Sequence, residues 1–377
     1  MRIFIASGIF HPEPGGPATY LYRLLPSLLT RGHHVRVLAF GSASVTDYPY
    51  PVRRIPRRAL PVRMAHYAAA AWSELRHADL VFIHSLGLPL PGVPRIPRVI
   101  KVVGDMAWER AVNRGWVPPD EDIDLFQQRR YDTRVQLLKQ HRARAVQQVD
   151  HVIVPSQYLR EMVIGWGALP ERVTVIYNAL APDAQASALS PAEARAQLDL
   201  PAGPLLLAPA RLVAWKGIDH LLRAVARTPE VRLLVAGDGP EENRLRGVAA
   251  AERVTDRVTF LGRVPREQLA LYFRAVDYTV VYSGYEGLSH TLLESLLSGT
   301  PVIASDKGGN PEVVRHGENG LLAPYANVDA LAATLADAFA GDTQARLAAQ
   351  TSAGLERFAW ESLVERTARL LEETCTS

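Results

Sequence analysis

Short runs of apolar, mostly β-branched residues alternate with longer segments of helical period along almost the whole chain. Such runs predict fully buried strands of a parallel sheet, and the segments between them predict helical crossover connections. The runs fall into two series, first 3–6, 35–40, 80–84, 99–103, 152–155 and 173–177, and then 205–208, 232–236, 258–261, 279–282, 302–304 and 320–322. The pattern therefore predicts two doubly wound α/β domains.

A polar stretch containing Pro, Ala and Ser, residues 181–191, separates the two series. The chain of 377 residues also has the length of two domains of ordinary size. We expect an N-terminal domain over 1–182 and a C-terminal domain over 183–359. The tail over 360–377 has a helical stripe of apolar residues, which by itself assigns it to neither domain.

Composition narrows the class of protein. Hydrophobic residues make up 48% and charged residues 21% of the chain, which is typical of a soluble globular protein and argues against disorder or a fibrous repeat. Cys375 is the only cysteine, so an intrachain disulfide and a cysteine metal site are excluded, as suits a reducing cytoplasm. No apolar run approaches the roughly 20 residues that cross a bilayer.

Charge is distributed unevenly. Residues 1–182 carry 23 Lys and Arg against 14 Asp and Glu, a net charge of +9, whereas the remainder carries a net charge of −6. A basic first half indicates either an anionic partner, such as a membrane surface or a phosphorylated acceptor, or simply a solvated surface. Arg53, Arg54, Arg57, Arg58 and Arg63 precede a predicted helix carrying Tyr67 and Trp72, and this arrangement suggests peripheral contact with anionic lipid.

Ligands of parallel sheets bind beyond the carboxyl ends of the strands, so the loops there are the candidate sites. Gly15 and Gly16 follow the first strand and precede a helix, where their amides can approach a phosphate closely or where glycine merely satisfies the turn. The loop does not match the dinucleotide-binding pattern G-x-G-x-x-G.

In the second half, Arg211 and Lys216 lie in a strand-to-helix loop and either converge on one anion or are solvated. Ser289 and Gly299 are a fitting N-cap and stop for a helix, which places Glu286 in the preceding loop and Glu294 inside the helix. Because Glu294 is surrounded by leucines, its carboxylate needs a partner, either ligand hydroxyl groups or a neighbouring basic residue.

These elements occur together with three further motifs, namely Gly237-Asp238-Gly239-Pro240, Phe260-Leu261-Gly262 and Gly308-Gly309-Asn310-Pro311-Glu312. In this order, and with seven residues between the two glutamates, the sequence resembles the retaining family-4 glycosyltransferases of the GT-B fold over nearly the whole chain. The resemblance implies two Rossmann-like domains facing across a cleft, with the acceptor bound by the first and a nucleotide sugar by the second. It also implies that the C-terminal helix packs back on the N-terminal domain.

The resemblance implies transfer of a hexosyl unit to a glycan, lipid-linked or small-molecule acceptor, in glycan or glycolipid biosynthesis. The donor would be a nucleotide-diphosphate sugar, a UDP-sugar in preference to a GDP-sugar, with no metal, cofactor or nucleic acid involved. A cytoplasmic location, peripheral at the inner face of the membrane, is expected. The implied donor contacts are Arg211 and Lys216 with the diphosphate, Glu286 with the sugar, Glu294 with the ribose, Gly15, Gly16, Gly287, Leu288 and Ser289 with the phosphates, and Arg263 and Val264 with the base.

One position departs from the family pattern. Many relatives carry a histidine after the fourth N-terminal strand, where this chain has Asp105. Asp105 either contacts an acceptor or donor-sugar hydroxyl group or caps the helix that begins at Met106. The following segment, 108–131, either lines the acceptor site or forms an ordered loop.

Two other functions are compatible with the sequence. A nucleotide-sugar epimerase shares the fold and the diphosphate site, and it would act on the donor alone. A non-catalytic nucleotide-sugar-binding protein, or a scaffold on membranes, would bind the donor without turnover.

Overall fold

The computed structural model describes residues 1–13, 15–42, 45, 47–92, 96–180 and 186–376. The strands among them are β1 (Arg2–Ala6), β2 (His34–Phe40), β3 (Val52–Ile55), β4 (Leu80–Ile83), β5 (Arg98–Lys101), β6 (His151–Val154), β7 (Val173–Val175), β8 (Leu205–Pro209), β9 (Arg232–Ala236), β10 (Val258–Gly262), β11 (Tyr278–Val281), β12 (Val302–Ser305) and β13 (Gly320–Ala323). The helices are α1 (Gly16–Thr30), α2 (Leu60–Leu75), α3 (Met106–Asn113), α4 (Ile123–Gln128), α5 (Thr133–Gln147), α6 (Gln157–Gly165), α7 (Pro191–Gln197), α8 (Ile218–Ala226), α9 (Glu242–Ala251), α10 (Arg266–Ala275), α11 (His290–Leu297), α12 (Val328–Ala338), α13 (Thr343–Ala348) and α14 (Trp360–Thr376).

The strands form two separate sheets in which every named pair is parallel. One sheet has the order β3-β2-β1-β4-β5-β6-β7, and the other has the order β10-β9-β8-β11-β12-β13. Both orders reverse beside the first strand of the sheet, as in doubly wound Rossmann-like domains. The predicted fold class is thus confirmed, and each of the twelve predicted runs overlaps a strand.

The strand β3 was not predicted. Its sequence is Val52-Arg53-Arg54-Ile55, so charged side chains occupy its middle, and it lies at the edge of its sheet beside β2 alone. An edge strand is only partly buried and does not need the continuous apolar run that marks the inner strands.

The chain divides into two compact units. Unit 1 comprises Met1–Ala111, Arg130–Ile176 and Glu361–Ser377, and unit 2 comprises Val112–Arg129 and Tyr177–Trp360. The predicted boundary after Pro182 lies outside the described residues, and the units divide after Ile176 instead.

The segment Val112–Arg129 belongs to unit 2, although the sequence prediction placed it in the N-terminal domain. Lys307 gives a physical reason, because its Nζ atom lies 3.2 Å from Asp122 Oδ2 and 3.3 Å from Asp124 Oδ2. Asp122 also caps α4, accepting hydrogen bonds from the amides of Asp124 and Leu125. The acidic run of this segment therefore holds it to unit 2.

The tail helix α14 belongs to unit 1 and is tied there by polar contacts. Its Arg366 donates to the carbonyl oxygen of Val175 at 2.7 Å, and its Glu372 lies 2.9 Å from His33 Nε2. The apolar stripe predicted from the sequence is buried, with Leu371 fully inaccessible.

Helix α2 begins at Leu60, so Arg63 lies within it rather than before it. Tyr67 is fully buried, and its hydroxyl group donates to the carbonyl oxygen of Leu38 at 3.1 Å. The expectation that Tyr67 contacts lipid is therefore wrong, whereas Trp72 on the same helix is half exposed. Among the described residues, no helix has the length and apolar character of a membrane span.

Candidate functional site

The loop after β8 carries the two cations predicted to bind an anion. Lys216 ends a single 3-10 turn, Ala214–Lys216, just before α8, and Arg211 is exposed at the start of the loop. The neighbouring Gly237-Asp238-Gly239 turn supports this loop, since the amide of Leu212 donates to the carbonyl oxygen of Asp238 at 2.8 Å. A side chain at Gly239 would meet Leu212 backbone atoms at 2.3 to 2.7 Å, which explains the glycine of that motif.

The central contact of the site joins Lys216 to Glu286. The Lys216 Nζ atom lies 2.5 Å from Glu286 Oε1, and the hydroxyl group of Ser283 donates to the same oxygen at 2.8 Å. Both charged side chains are largely shielded, with exposed fractions of 21% and 14%. A cation and a carboxylate that lie 70 residues apart in the sequence are thus brought into one charge-assisted hydrogen bond.

The glycine motif after β12 holds the backbone of Glu286. The amide of Gly309 donates to the carbonyl oxygen of Glu286 at 2.8 Å. A Cβ atom at Gly308, where φ is +63°, would lie 2.4 Å from that same oxygen, and one at Gly309 would lie 2.4 Å from the carbonyl oxygen of Gly287. The close approach of the two loops therefore requires both glycines.

This support is completed by Ser283 and Ser305, two serines that the sequence prediction did not include. The hydroxyl group of Ser305 donates to the carbonyl oxygen of Ser283 at 2.5 Å, and Asn310 Nδ2 donates to Ser305 Oγ at 3.0 Å. Ser305 and Asn310 are fully buried. A serine at the end of a strand or in a loop carries no recognisable pattern, so only the folded structure reveals this role.

A cavity of about 180 Å³ adjoins the ion pair. It lies where β8 and β11 end and α11 begins, which is the edge of a parallel sheet at which ligands bind. Its lining includes Lys216, Glu286, Leu288, Ser289 and Thr291. The first turn of α11 contributes the positive end of a helix dipole, which favours a negatively charged ligand.

The N-terminal end of α11 agrees with the sequence prediction in position. Ser289 is the N-cap residue, although its side chain makes no capping hydrogen bond, and Gly299 follows the helix with φ of +77°. Glu286 accordingly lies in the loop and Glu294 within the helix, as predicted.

Glu294 has a basic partner in this structure. Its Oε1 atom accepts a hydrogen bond from Arg266 at 2.5 Å, while Leu292, Leu293 and Leu296 of the same helix are buried. The Arg266 side chain is 46% exposed, and an ion pair of that kind contributes little stability. Ligand hydroxyl groups can therefore displace Arg266 at small cost.

The other predicted donor residues are placed as follows. Arg263 is exposed and Val264 is partly buried directly after β10. Gly15 and Gly16 are exposed at the start of α1 in unit 1. Among the residues that the structure describes, the lining of the 180 Å³ cavity includes none of these, nor Arg211, Gly287 or Glu294.

Asp105 has the structural role that the sequence left open. One carboxylate oxygen accepts hydrogen bonds from the amides of Ala107 at 2.9 Å and Trp108 at 3.2 Å, as an N-cap of α3 does. The other oxygen pairs with the buried guanidinium of Arg142. Asp105 is fully inaccessible to solvent, and both of its carboxylate oxygens have partners within the protein. Contact with a substrate hydroxyl group stays a prediction.

Within the described part of the chain, no three His, Cys, Asp or Glu side chains are grouped so as to hold a metal ion.

Comparisons with known proteins match both halves of the chain. The family model described as Glycosyltransferase Family 4 matches residues 14–184, and the model described as Glycosyl transferases group 1 matches residues 192–353.

Two curated relatives align with part of the chain. The lipopolysaccharide core biosynthesis glycosyltransferase LpsE of Rhizobium meliloti is 37% identical over 139 residues, which are 37% of this chain and 40% of that protein. The D-inositol 3-phosphate glycosyltransferase of Streptomyces scabiei is 34% identical over 225 residues, which are 56% of this chain and 50% of that protein. The chain thus spans about half the length of the curated relatives that it matches.

Solved structures match over almost the full length. Sucrose-phosphate synthase from Thermosynechococcus elongatus has a TM-score of 0.81 at 24% identity, covering 99% of this chain and 98% of that one. The Anabaena protein HepE in complex with UDP-glucose has a TM-score of 0.76 at 21% identity, covering 99% and 100%. With both family models and this fold, the chain is a member of the family-4, group 1 glycosyltransferases of the GT-B fold.

Proposed function

We propose that the protein is a retaining glycosyltransferase that moves a hexosyl unit from a nucleotide-diphosphate sugar to an acceptor hydroxyl group. The observation that carries the proposal is the Lys216–Glu286 pair beside a cavity at the carboxyl ends of β8 and β11. A UDP-sugar is the proposed donor in preference to a GDP-sugar, which is supported by the fold shared with a UDP-glucose complex. Glycan or glycolipid biosynthesis is the proposed process, in line with the names of the relatives.

In the proposed reaction the bond between the sugar C1 and the diphosphate oxygen breaks, and its electron pair leaves with the diphosphate. Lys216 and Arg211 stabilise the charge that develops on that leaving group, together with the N-terminal end of α11. The acceptor oxygen forms the new bond to C1 on the same face, and its proton passes to the leaving phosphate. No separate general base and no metal ion is required in this scheme.

The carboxylates act as binding groups rather than as an acid and a base. Glu286 accepts hydrogen bonds from hydroxyl groups of the donor sugar while Ser283 and Gly309 hold it in place. Glu294 releases Arg266 and accepts hydrogen bonds from the ribose hydroxyl groups instead. The remaining proposed contacts are those of Gly15, Gly16, Gly287, Leu288 and Ser289 with the phosphates and of Arg263 and Val264 with the base.

A donor panel tests the proposal. UDP-, GDP- and ADP-sugars are compared by thermal stabilisation, because a ligand that binds only the folded state raises the melting temperature. We expect a UDP-sugar to give the largest shift. Glu294→Gln should reduce that shift, whereas Glu267→Gln, an exposed glutamate on α10, should leave it unchanged.

Product analysis separates transfer from the alternatives. Incubation of the best donor with lipid, oligosaccharide and small-molecule acceptors should give a glycoside with the anomeric configuration of the donor. Epimerised donor without any acceptor would instead indicate an epimerase, and stabilisation without turnover on every acceptor would indicate a binding protein.

Peripheral contact with the cytoplasmic face of an anionic membrane is also proposed, through α2. Leu60, Val62 and Trp72 are exposed large apolar residues of this helix, and Arg57 and Arg58 directly precede it. This combination favours binding at a negatively charged lipid surface. Vesicles containing anionic lipid should retain the protein at low salt, and loss of retention in Trp72→Ala would support the assignment to α2.

A further inference from the structure

Unit 1 contains a second cavity, of about 540 Å³. Its wall is built from the segments that follow β1, β4 and β5, including Gly8, Ser85 and Gly104. These are the carboxyl ends of adjacent parallel strands, where doubly wound sheets bind ligands. The volume lies in the range of about 300 to 1,000 Å³ that is usual for small-molecule sites.

Two buried basic residues that the proposed transfer reaction does not use form part of this wall. Lys101 and His84 have exposed fractions of only 4% and 5%. In the structure, neither Lys101 Nζ nor His84 Nε2 has a hydrogen-bond partner. The ammonium group of Lys101 instead lies 3.7 Å from the centroid of the Tyr20 ring.

The energetic cost of this arrangement is considerable. Lys101 ends β5 after the apolar residues Val99 and Ile100, and burial lowers its pKa to about 7. Burial also holds the pKa of His84 well below its usual range, and the nearby charge of Lys101 adds to that effect. A cation so poorly solvated is stabilised strongly by any anion that reaches it.

The charge of the wall is predominantly positive. The described residues that line the cavity include Arg63 and Arg110 besides Lys101, against the single carboxylate of Glu109. The Nε atom of Arg63 is buried and has no hydrogen-bond partner in the structure, while its guanidinium stacks 5.6 Å from the Phe40 ring. Lys101 and Arg63, each with a buried nitrogen that has no hydrogen-bond partner in the structure, thus line one cavity.

We propose that this cavity, the Lys101 cavity, binds an acidic group, a phosphate or a carboxylate, that the sugar acceptor carries close to its reacting hydroxyl group. An oxyanion there receives charge-assisted hydrogen bonds from Lys101 Nζ and from the Arg63 guanidinium, and it adds negative charge to a wall in which positive charge predominates. An uncharged sugar brings no negative charge to the cavity. The inference rests on the proposed transferase function, which it sharpens by making the acceptor anionic.

Binding to the full chain tests the inference without any donor present. Calorimetric titration compares glucose with glucose 6-phosphate and glucuronate, and inorganic phosphate serves as the minimal probe. We expect one or both acidic sugars to bind at least about tenfold more tightly than glucose, as two charge-assisted hydrogen bonds predict. The two acidic sugars distinguish a phosphate site from a carboxylate site.

Matched variants locate the binding. Lys101→Met and Arg63→Met should each abolish most of the preference for the acidic sugar. Lys139→Met and Arg58→Met, which change a lysine and an arginine of unit 1 outside the lining of the cavity, should keep it. Equal binding of glucose and its acidic derivatives, or an unchanged preference in folded Lys101→Met and Arg63→Met, would overturn the inference. If Lys101→Met does not fold, Arg63→Met decides.

The outcome is separable from that of the transferase proposal. Stabilisation by a UDP-sugar should depend on Glu294 and not on Lys101. Transfer to neutral acceptors alone, unaffected by Lys101→Met, would leave the transferase proposal standing and refute the acidic subsite. Lys101-dependent binding of an acidic sugar, without transfer from any donor, would support the acidic subsite and refute the transferase proposal.

Discussion

Replacing the buried Lys101 by methionine should stabilise the protein, and the gain should depend on pH. The side chain is 4% exposed, and its pKa falls from 10.5 to about 7 because burial disfavours the charged form. The unfolded chain therefore binds the proton more tightly than the folded chain. The contribution of this group to the free energy of unfolding is therefore most favourable above pH 10.5. It becomes less favourable as the pH falls towards about 7.

The size of the effect follows from that shift. A difference of one pKa unit corresponds to about 1.4 kcal/mol, so the free energy of unfolding of the wild-type protein should rise by about 3 kcal/mol from about pH 7 to about pH 9.5 through this group alone. Methionine has a similar volume and no charge. Lys101→Met should therefore exceed the wild type in stability at about pH 7 and lose most of that advantage at about pH 9.5.

Urea unfolding of both proteins across this range measures the effect. The difference between the two curves cancels groups common to both, including tyrosines such as Tyr20 whose pKa burial also raises. Lys139→Met is the control, because its partly exposed lysine should give a smaller pH-dependent difference. Parallel pH profiles for Lys101→Met and the wild type would refute the reasoning that the ammonium group is desolvated.

Three further substitutions test the donor site and the cap of α3. Lys216→Met should weaken UDP-sugar binding by at least about tenfold in a calorimetric titration, since it removes a charge-assisted contact with the diphosphate. Gly308→Ala should lower the free energy of unfolding in urea by more than about 2 kcal/mol and weaken donor binding, because the new Cβ meets the Glu286 loop. The control is Gly317→Ala, where φ is +78° and the surrounding space is open. It should lower the free energy of unfolding by only about 1 kcal/mol and leave donor binding intact. Asp105→Asn should lower the free energy of unfolding by about 3 to 5 kcal/mol, because it leaves a buried arginine unpaired. A stable Asp105→Asn protein with reduced transfer would contradict the structural role of that residue.

Most of the strand framework is predictable from the sequence because inner parallel strands are buried on both faces and must be continuously apolar. β1 shows this, with its last four residues buried. β3 escapes prediction because an edge position tolerates two arginines in a strand of four residues. The assignment of 112–129 to unit 2 also escapes prediction, because the decisive ion pairs join Asp122 and Asp124 to a lysine more than 180 residues away.

The candidate site is predictable from the sequence only in part. Cap and stop residues correctly place Glu286 in a loop and Glu294 in a helix. They carry no information about the partners, since Lys216 lies 70 residues from Glu286 and Arg266 lies 28 residues from Glu294. Lys101 does carry a signal in the sequence, because a charged residue inside an apolar strand is costly to bury unless another group of the protein or a ligand compensates for it.

The segment Val112–Arg129 restricts the design of chimeras between this protein and its relatives. The backbone passes between the units four times, after Ala111, Arg129, Ile176 and Trp360. A chimera with a single junction after Ile176 would take Asp122 and Asp124 from one parent and Lys307 from the other. Exchanging unit 2 between relatives therefore requires a discontinuous graft that moves 112–129 together with 177–360 and leaves the last helix with unit 1.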